Sequence, residues 1–300
     1  MKYAKYLKKF PSLEGKYYIV TGANSGLGLD TSLYLAYKGA NVILACRNLK
    51  KAELAKQKIL EVVPDAKIFI EEYDQASFVS IENFTHRIKE NYSQIDGLVA
   101  NAGVYYPKQD YKTSDGYELT FGTNYIGTFK LIDSLKEKLN ESCSRVVFVT
   151  SLTATLANKK KDIDEIEKLN RNQLYGYSKY CINRLFYELN SEENNITYNL
   201  VHPGIASTNI ISSQQTGLPH WFQVLGHRFL TIFTHSSQKA SLISIEGLLN
   251  EKHGAYVAPR GLFAISGYPK FKKVPKFSNR KIIEKTKEII NKNDALINSK

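Results

Sequence analysis

Cysteine is scarce in this chain. Cys46, Cys143 and Cys181 are scattered, odd in number and without metal-ligand spacing. They exclude a disulfide framework and suit a reducing compartment. No apolar run is long enough to span a bilayer. The first ten residues, Met1 to Phe10, lack the continuous apolar core of a secretory signal. Of the histidines, His202, His220 and His235 match no helical ligand pair and have no acidic cluster with them, so a metal site is not expected. Acidic residues are few at the two ends. Residues 1–16 and 262–300 together hold fifteen Lys/Arg and four Asp/Glu, a net +11 of the chain's +12. The body is nearly neutral and offers no basic face of the kind nucleic acid requires. The ends are expected to be solubilising and solvated, or attracted to an anionic membrane surface.

What the chain has is a regular alternation of strand and helix patterns. Hydrophobic residues make up 43% of the 300, enough for a sizeable core. Lys16 to Thr21 is a short apolar, β-branched and aromatic run. The turn Gly22-Ala23-Asn24-Ser25-Gly26-Leu27-Gly28 follows it, and then Leu29, Leu33, Leu35 and Ala36 recur at helical spacing until Gly39. Strand, glycine turn and helix form the setting of a dinucleotide site. Gly22 would turn the chain sharply. Gly26 and Gly28 would admit a pyrophosphate and close helix packing, with the helix N-terminus facing the phosphates. The second strand, Asn41 to Cys46, ends at Arg47, where a cofactor's adenosine ribose is read. An arginine there accommodates the 2′-phosphate of NADP rather than the free diol of NAD. It could instead stack on adenine without selecting the phosphate.

Helices are expected over residues 49–62 and 77–91, and strands over Lys67 to Tyr73 and Asp96 to Ala100. Asn101-Ala102-Gly103 then offers small residues for close approach of a ribose, or a plain turn. Helical periodicity runs from about Ser114 to Leu139, with a kink expected near Gly127, and holds Asn124 among apolar neighbours. Arg145 to Thr150 is an apolar strand ending at Ser151, and ligands of such sheets bind outside the carboxyl ends of strands. A helix over 172–192 brings Tyr175 and Lys179 onto one face, four residues apart. A lysine ammonium there would lower the phenol's pKa and make the pair a general acid–base. Ile196 to Val201 is the next strand, followed by Pro203-Gly204. The pattern implies an α/β fold with a parallel doubly wound sheet and helices on both faces.

Thr21-Gly22-x-x-x-Gly26-x-Gly28, Asn101-Ala102-Gly103, Asn124, Ser151, Tyr175-x-x-x-Lys179 and Pro203-Gly204 occur in one order on this pattern. Over roughly residues 15–260 the chain resembles the short-chain dehydrogenase/reductase family. Ala45-Cys46-Arg47-Asn48 and the run at 144–152 are most similar to its retinol-dehydrogenase-like members. Asp115 to Leu119 is similar to the protochlorophyllide-reductase branch. The resemblance implies a single-domain Rossmann-type enzyme that uses NADP(H) to interconvert a carbonyl and an alcohol on a small, apolar molecule. It implies Tyr175 as acid–base and Lys179 as its pKa-lowering partner and ribose ligand. Ser151 would polarise the substrate oxygen, and Asn124 would position a relaying water. For the cofactor it implies Gly22, Asn24, Ser25, Gly26, Leu27 and Gly28 at the turn, and Arg47 and Asn48 at the second strand. Asp74 and Gln75 would lie by the adenine, Asn101 to Gly103 on the adenosine side, and Pro203, Gly204, Ile205 and Thr208 at the carboxamide. Two departures stand out. Ala206 replaces the usual apolar residue after Pro-Gly, and residues 1–15 show no apolar run of the kind expected of the membrane-anchored members.

Residues 1–15 read as a basic extension, 16–261 as the oxidoreductase domain and 262–300 as a basic tail. Within the domain, 209–235 is rich in Phe and holds Trp221. It suits an apolar substrate lid, an oligomer interface or core. Residues 237–249 read as a helix and 254–259 as a final strand. Beyond them 261–277 is irregular, and a charged helix carries Ile282, Ile283, Ile289 and Ile290. That helix could lie on a membrane surface or pack back on the protein or a partner. The expected location is cytoplasmic or peripheral at a membrane, with a homo-oligomer possible. A catalytically idle NADP-binding protein is the competing class.

Overall fold

The computed structural model of the chain describes residues 1–105, 107, 112–157, 163–204, 206–207, 235–275 and 281–298. A single helical turn, Ala4–Leu7 (α1), precedes the first strand, Tyr17–Thr21 (β1). There follow Gly26–Tyr37 (α2), Asn41–Cys46 (β2), Leu49–Leu60 (α3), Lys67–Glu72 (β3), Phe78–Asn91 (α4) and Gly97–Ala100 (β4). Residue patterning explains these units. All six residues of β2 are buried, as a strand covered on both faces requires. Asn48 and Ser77 cap α3 and α4 by accepting hydrogen bonds from the N–H groups of Lys51 and Ser80.

The helix expected from Ser114 begins later and changes pitch. Leu119–Phe121 (α5) leads into a π-helical turn at Gly122–Ile126, and Gly127–Glu141 (α6) continues from it. Gly127 lies hard against the neighbouring chain: a Cβ there would stand 2.1 Å from the Gln75 carbonyl oxygen. Arg145–Val149 (β5), Arg171–Asn190 (α7) and Thr197–Val201 (β6) complete the second half of the sheet. Asn170 and Gln173 form a reciprocal capping box at the start of α7. The short pair Ala206–Ser207 (β7) and His235–Ser236 (β8) leads to Ser237–Leu249 (α8), Tyr256–Pro259 (β9), Pro269–Lys272 (β10) and Lys281–Asn298 (α9).

Among the described residues, eight strands form one sheet in the order β10-β9-β6-β5-β4-β1-β2-β3. Neighbours are parallel except β9 and β10, which are antiparallel. Tyr18 pairs with Val42 on one side and Gly97 on the other. Strand order therefore reverses between β1 and β4, the crevice where such sheets bind ligands. Apolar residues of α2, α3 and α8 cover one face, and those of α4, α6, α7 and α9 cover the other.

Two expectations are corrected. Residues 254–259 do not hold the last strand. Pro269–Lys272 adds an edge strand, and proline is tolerated at its first position because an edge residue need not donate to a ladder. The ends are not solvated extensions. Tyr3, Leu7, Phe10 and Leu13 are buried against the α2–α8 face, and Ile282, Ile283 and Ile290 against the α6–α7 face. Fully burying each such side chain contributes about 1.5–3 kcal/mol, and the lysines between them remain outside. Of the two readings of the closing helix, the structure takes the one in which it packs back: α9 lies against the protein, held by Tyr125–Thr286 (2.9 Å), Asn293–Tyr117 (2.7 Å) and a Lys130–Asp294 ion pair. The segment 209–234, read as a lid, lies outside the described residues.

Candidate active site

The glycine turn sits at the carboxyl end of β1. Gly22 and Gly26 adopt left-handed conformations, φ +65° and +54°, which a side chain would strain. Gly28 is where α2 meets the strand: a Cβ there would stand 2.5 Å from the Gly22 carbonyl oxygen and 2.7 Å from Asn101 Nδ2. Ser25 is extended at the N-cap and its side chain makes no cap hydrogen bond. The first-turn N–H groups of α2 are thus left for another acceptor, as an anion site needs. Asn101 locks the neighbouring strand end by donating from Nδ2 to the Thr21 carbonyl at 2.8 Å. Thr21 Oγ1 accepts from the N–H groups of Asn101 (3.0 Å) and Ala102 (2.9 Å).

Arg47 leaves the end of β2 largely exposed, 3.7 Å from Asp74. Its guanidinium is about two-thirds exposed, with the Asp74 carboxylate beside it. Asn48 instead spends its side chain on capping α3. Asp74 caps its own loop, accepting from the Ala76 N–H at 3.0 Å. Gln75 is buried and points inward: Nε2 donates to the carbonyls of Thr123 (2.6 Å) and Ala102 (3.2 Å) and to Thr128 Oγ1 (3.1 Å). It braces the π-helical turn against the Asn101–Gly103 segment.

Asn124, in that π-helical turn, is buried, and its amide holds two elements together. Oδ1 accepts from the Val104 N–H at 2.7 Å, and Nδ2 donates to the Val104 carbonyl (3.0 Å) and to Ser178 Oγ on α7 (3.1 Å). Gly103 lies close to both: a Cβ there would stand 3.0 Å from Asn124 Oδ1 and 3.8 Å from Lys179 Nζ. The Asn101–Gly103 segment and the Tyr175–Lys179 helix are thereby brought to one place.

Ser151 follows β5 and hydrogen-bonds the Tyr175 phenol. Thr153 steadies it, donating from Oγ1 to Ser151 Oγ at 3.0 Å. Lys179 Nζ donates to the Val149 carbonyl at 2.9 Å and stands 5.8 Å from the Tyr175 ring centre. Gly176 lets α7 approach this segment, since a Cβ there would stand 3.0 Å from the Thr153 carbonyl oxygen. Tyr105 covers Tyr175 edge-on, with ring centres 4.7 Å apart.

The electrostatics differ from the expectation that Lys179 lowers the phenol. Burial pushes Tyr175 up to about 12, opposed by the Ser151 hydrogen bond. Burial also pulls Lys179 down to about 8. Desolvation penalises the charged form of both groups, so a largely neutral tyrosine faces a lysine close to its own titration point. Sequence reading missed Gly176, Thr153, Tyr105 and the bracing use of Thr21. A hydroxyl two residues after Ser151, and a small residue beside Tyr175, were the available signals. Pro203 and Gly204 (φ +83°) close the carboxyl end of β6, whereas Ile205 and Thr208 lie outside the described residues. No cluster of metal-ligating side chains occurs among the described residues.

The donors present fit a dinucleotide. The uncapped helix start suits a pyrophosphate, the glycine turn leaves the backbone bare, and the Arg47 fork stands largely exposed at the end of β2. Comparison with known proteins gives the same frame. The family described as short chain dehydrogenase matches residues 16–218. "Retinol dehydrogenase 13" of Mus musculus is 35% identical over 212 residues, covering 69% of this chain and 63% of that protein. "Short-chain dehydrogenase TIC 32 B, chloroplastic" of Brassica napus is 34% identical over 215 residues, covering 67% of each. The match thus spans less than two thirds of the mouse protein's length. The solved structure of levodione reductase superposes with a TM-score of 0.66 at 20% identity, over 80% of this chain and 92% of that one. That likeness concerns the fold.

Proposed function

This chain belongs to the short-chain dehydrogenase family, and from that premise we propose that it is an NADP(H)-dependent oxidoreductase interconverting a carbonyl and an alcohol on a small apolar molecule. The observation that carries the reading is the Ser151–Tyr175 hydrogen bond, with Lys179 on the next turn of the same helix and Gly103 against it. The name of the mouse relative, a retinol dehydrogenase, supports an apolar substrate. The exposed guanidinium of Arg47 supports the phosphorylated dinucleotide.

A bound nicotinamide would supply or accept the hydride. Gly22 to Gly28 and Arg47 would hold its phosphates, Asn101 to Gly103 its adenosine side, and Pro203 to Ile205 with Thr208 its carboxamide. In the reducing direction Ser151 donates a hydrogen bond to the carbonyl oxygen as negative charge builds there. Tyr175 passes its proton to that same oxygen, completing the alcohol. A phenol held neutral by burial is in the right form to donate. Lys179, able to exist in both forms near neutral pH, returns the proton to the tyrosinate and favours that anion when charged. Asn124 keeps the Val104 loop and α7 in register while this happens.

The test is a fluorescence titration with NADPH and NADH, followed by turnover on a panel of apolar aldehydes and ketones, for the native chain and Tyr175→Phe. NADPH binds more tightly than NADH, and Tyr175→Phe keeps that affinity within a few-fold while losing turnover. Full activity in the variant removes Tyr175 from the mechanism. Binding of NADPH with no turnover by the native chain points to an idle binder.

A further inference from the structure

Loops between packed strands rarely hold two large apolar side chains out in water. Here the connection from β9 to β10 does. Leu262 is 79% exposed and Phe263 75%. The loop is built to hold them there. Gly261 donates its N–H to the Ser266 carbonyl at 3.0 Å, Arg260 donates to the Tyr268 carbonyl at 2.9 Å, and Ala264 is buried in the core below. Phe263 and Ala264 adopt left-handed backbone at φ +48° and +58°, unusual for residues with side chains. Strain of that kind persists where surrounding structure imposes it, and it clusters at working sites.

The surroundings of this tip are cationic. From Lys252 to Ile283 the sequence holds eight Lys/Arg and no Asp or Glu. Three of the described cations lie over rings of the hairpin. Lys239 and Arg260 stand 5.1 and 5.5 Å from the ring centre of Tyr268, next to the tip, and Lys252 stands 4.1 Å from that of Phe271, which pairs with Val257 farther along the hairpin. Tyr6 stacks on Tyr268, ring centres 5.7 Å apart. That contact brings the lysine-rich N-terminal segment beside the hairpin. The tip also leaves the carboxyl edge of the sheet, as does Leu156, 85% exposed and seven residues beyond β5. One strand, β6, separates β5 from β9.

We propose that the β9–β10 hairpin docks the protein on an anionic membrane surface, with Leu262 and Phe263 entering the headgroup region and the surrounding lysines and arginines meeting lipid charge. An apolar tip flanked by cations on the same hairpin is what interfacial binding needs. Lysines on an edge strand also discourage strand pairing between copies, which accounts for Lys270 and Lys272 but leaves the two outward apolar residues unexplained. The docking would turn the carboxyl edge of the sheet, and with it the Ser151–Tyr175 site, toward the bilayer. It rests on nothing in the oxidoreductase reading.

The experiment is co-sedimentation of the full chain with phosphatidylcholine vesicles, with and without phosphatidylserine, at low and physiological salt. The comparison variants are Leu262→Ser/Phe263→Asn and Lys270→Glu/Lys272→Glu. Asparagine accepts left-handed backbone, so the first variant keeps the loop, and its far-UV spectrum and melting temperature report this. The native chain binds vesicles that contain phosphatidylserine and releases them as salt rises. Each variant binds at least about tenfold more weakly. Equal binding by the apolar-tip variant, equal binding to neutral vesicles, or no binding by the native chain overturns the proposal. A variant-sensitive dimer in solution without vesicle binding would make the tip an interface between copies, and overturns it too.

Discussion

Lys179 should make stability rise with pH. Its ammonium is buried, and burial lowers its pKa from 10.5 to about 8. Between those values the unfolded chain keeps a proton that the folded chain has released. The unfolded state then binds more protons, so unfolding becomes costlier as pH climbs. At about 1.4 kcal/mol per pH unit the full effect is about 3 kcal/mol, gained progressively between about pH 8 and pH 10.5. Below pH 8 the folded protein bears the whole cost of a buried charge. The tyrosines act the other way, because burial raises many of them and their unfolded counterparts ionise near pH 10. The clean assay is therefore a difference. Urea unfolding of the native chain and of Lys179→Met is followed at steps from pH 7 to pH 10.5, and the two stabilities are subtracted. The lost Val149 hydrogen bond is a constant offset in that difference. The native chain should gain on the variant by up to about 3 kcal/mol across the window. A difference that stays flat, or falls with pH, refutes the claim that Lys179 is held near its titration point by desolvation.

Two further outcomes follow from close packing. Gly28→Ala drives a methyl against the Gly22 carbonyl oxygen. It should destabilise by about 1–3 kcal/mol and weaken NADPH binding, read by thermal melting and titration; unchanged melting would mean that α2 and β1 are not in the contact described. Ile282→Ala opens a cavity under α9 and should cost about 2–5 kcal/mol in urea unfolding, and a cost below 0.5 kcal/mol, the surface range, would return the helix to solvent.

The alternation of buried strands with amphipathic helices was legible because parallel strands are covered on both faces and read as near-continuous apolar runs. β2 and β5 have that pattern. The order of the glycine turn, Ser151, Tyr175 and Lys179 was legible too, since those residues follow strand ends or share one helix face. β10 was not. Its four residues carry two lysines and begin with proline, so neither periodicity nor composition separates it from a loop, and only pairing with β9 defines it. The ends were misread because counting charge ignores where the apolar residues fall between the charges. Leu7, Phe10 and Leu13 recur three apart, and Ile282, Ile283, Thr286 and Ile290 share one helix face. Nor could pattern tell that Lys179 is desolvated, because that depends on the carbonyl and glycine brought to it from β5 and from the segment after β4.

Holding α9 in place has a consequence for how the chain reaches its native state. The Tyr125–Thr286 hydrogen bond joins residues 161 apart in sequence, and the Lys130–Asp294 pair joins residues 164 apart. Contacts of that span carry a loop-closure entropy that must be met before they repay it, so they belong to a late step of folding. Until then Phe129, Ile132, Leu185 and Leu189 on α6 and α7 lack Ile282, Ile283 and Ile290, which complete their buried cluster. During synthesis the sheet can assemble with this apolar stripe bare, an adhesive face that chaperones would have to shield until α9 arrives.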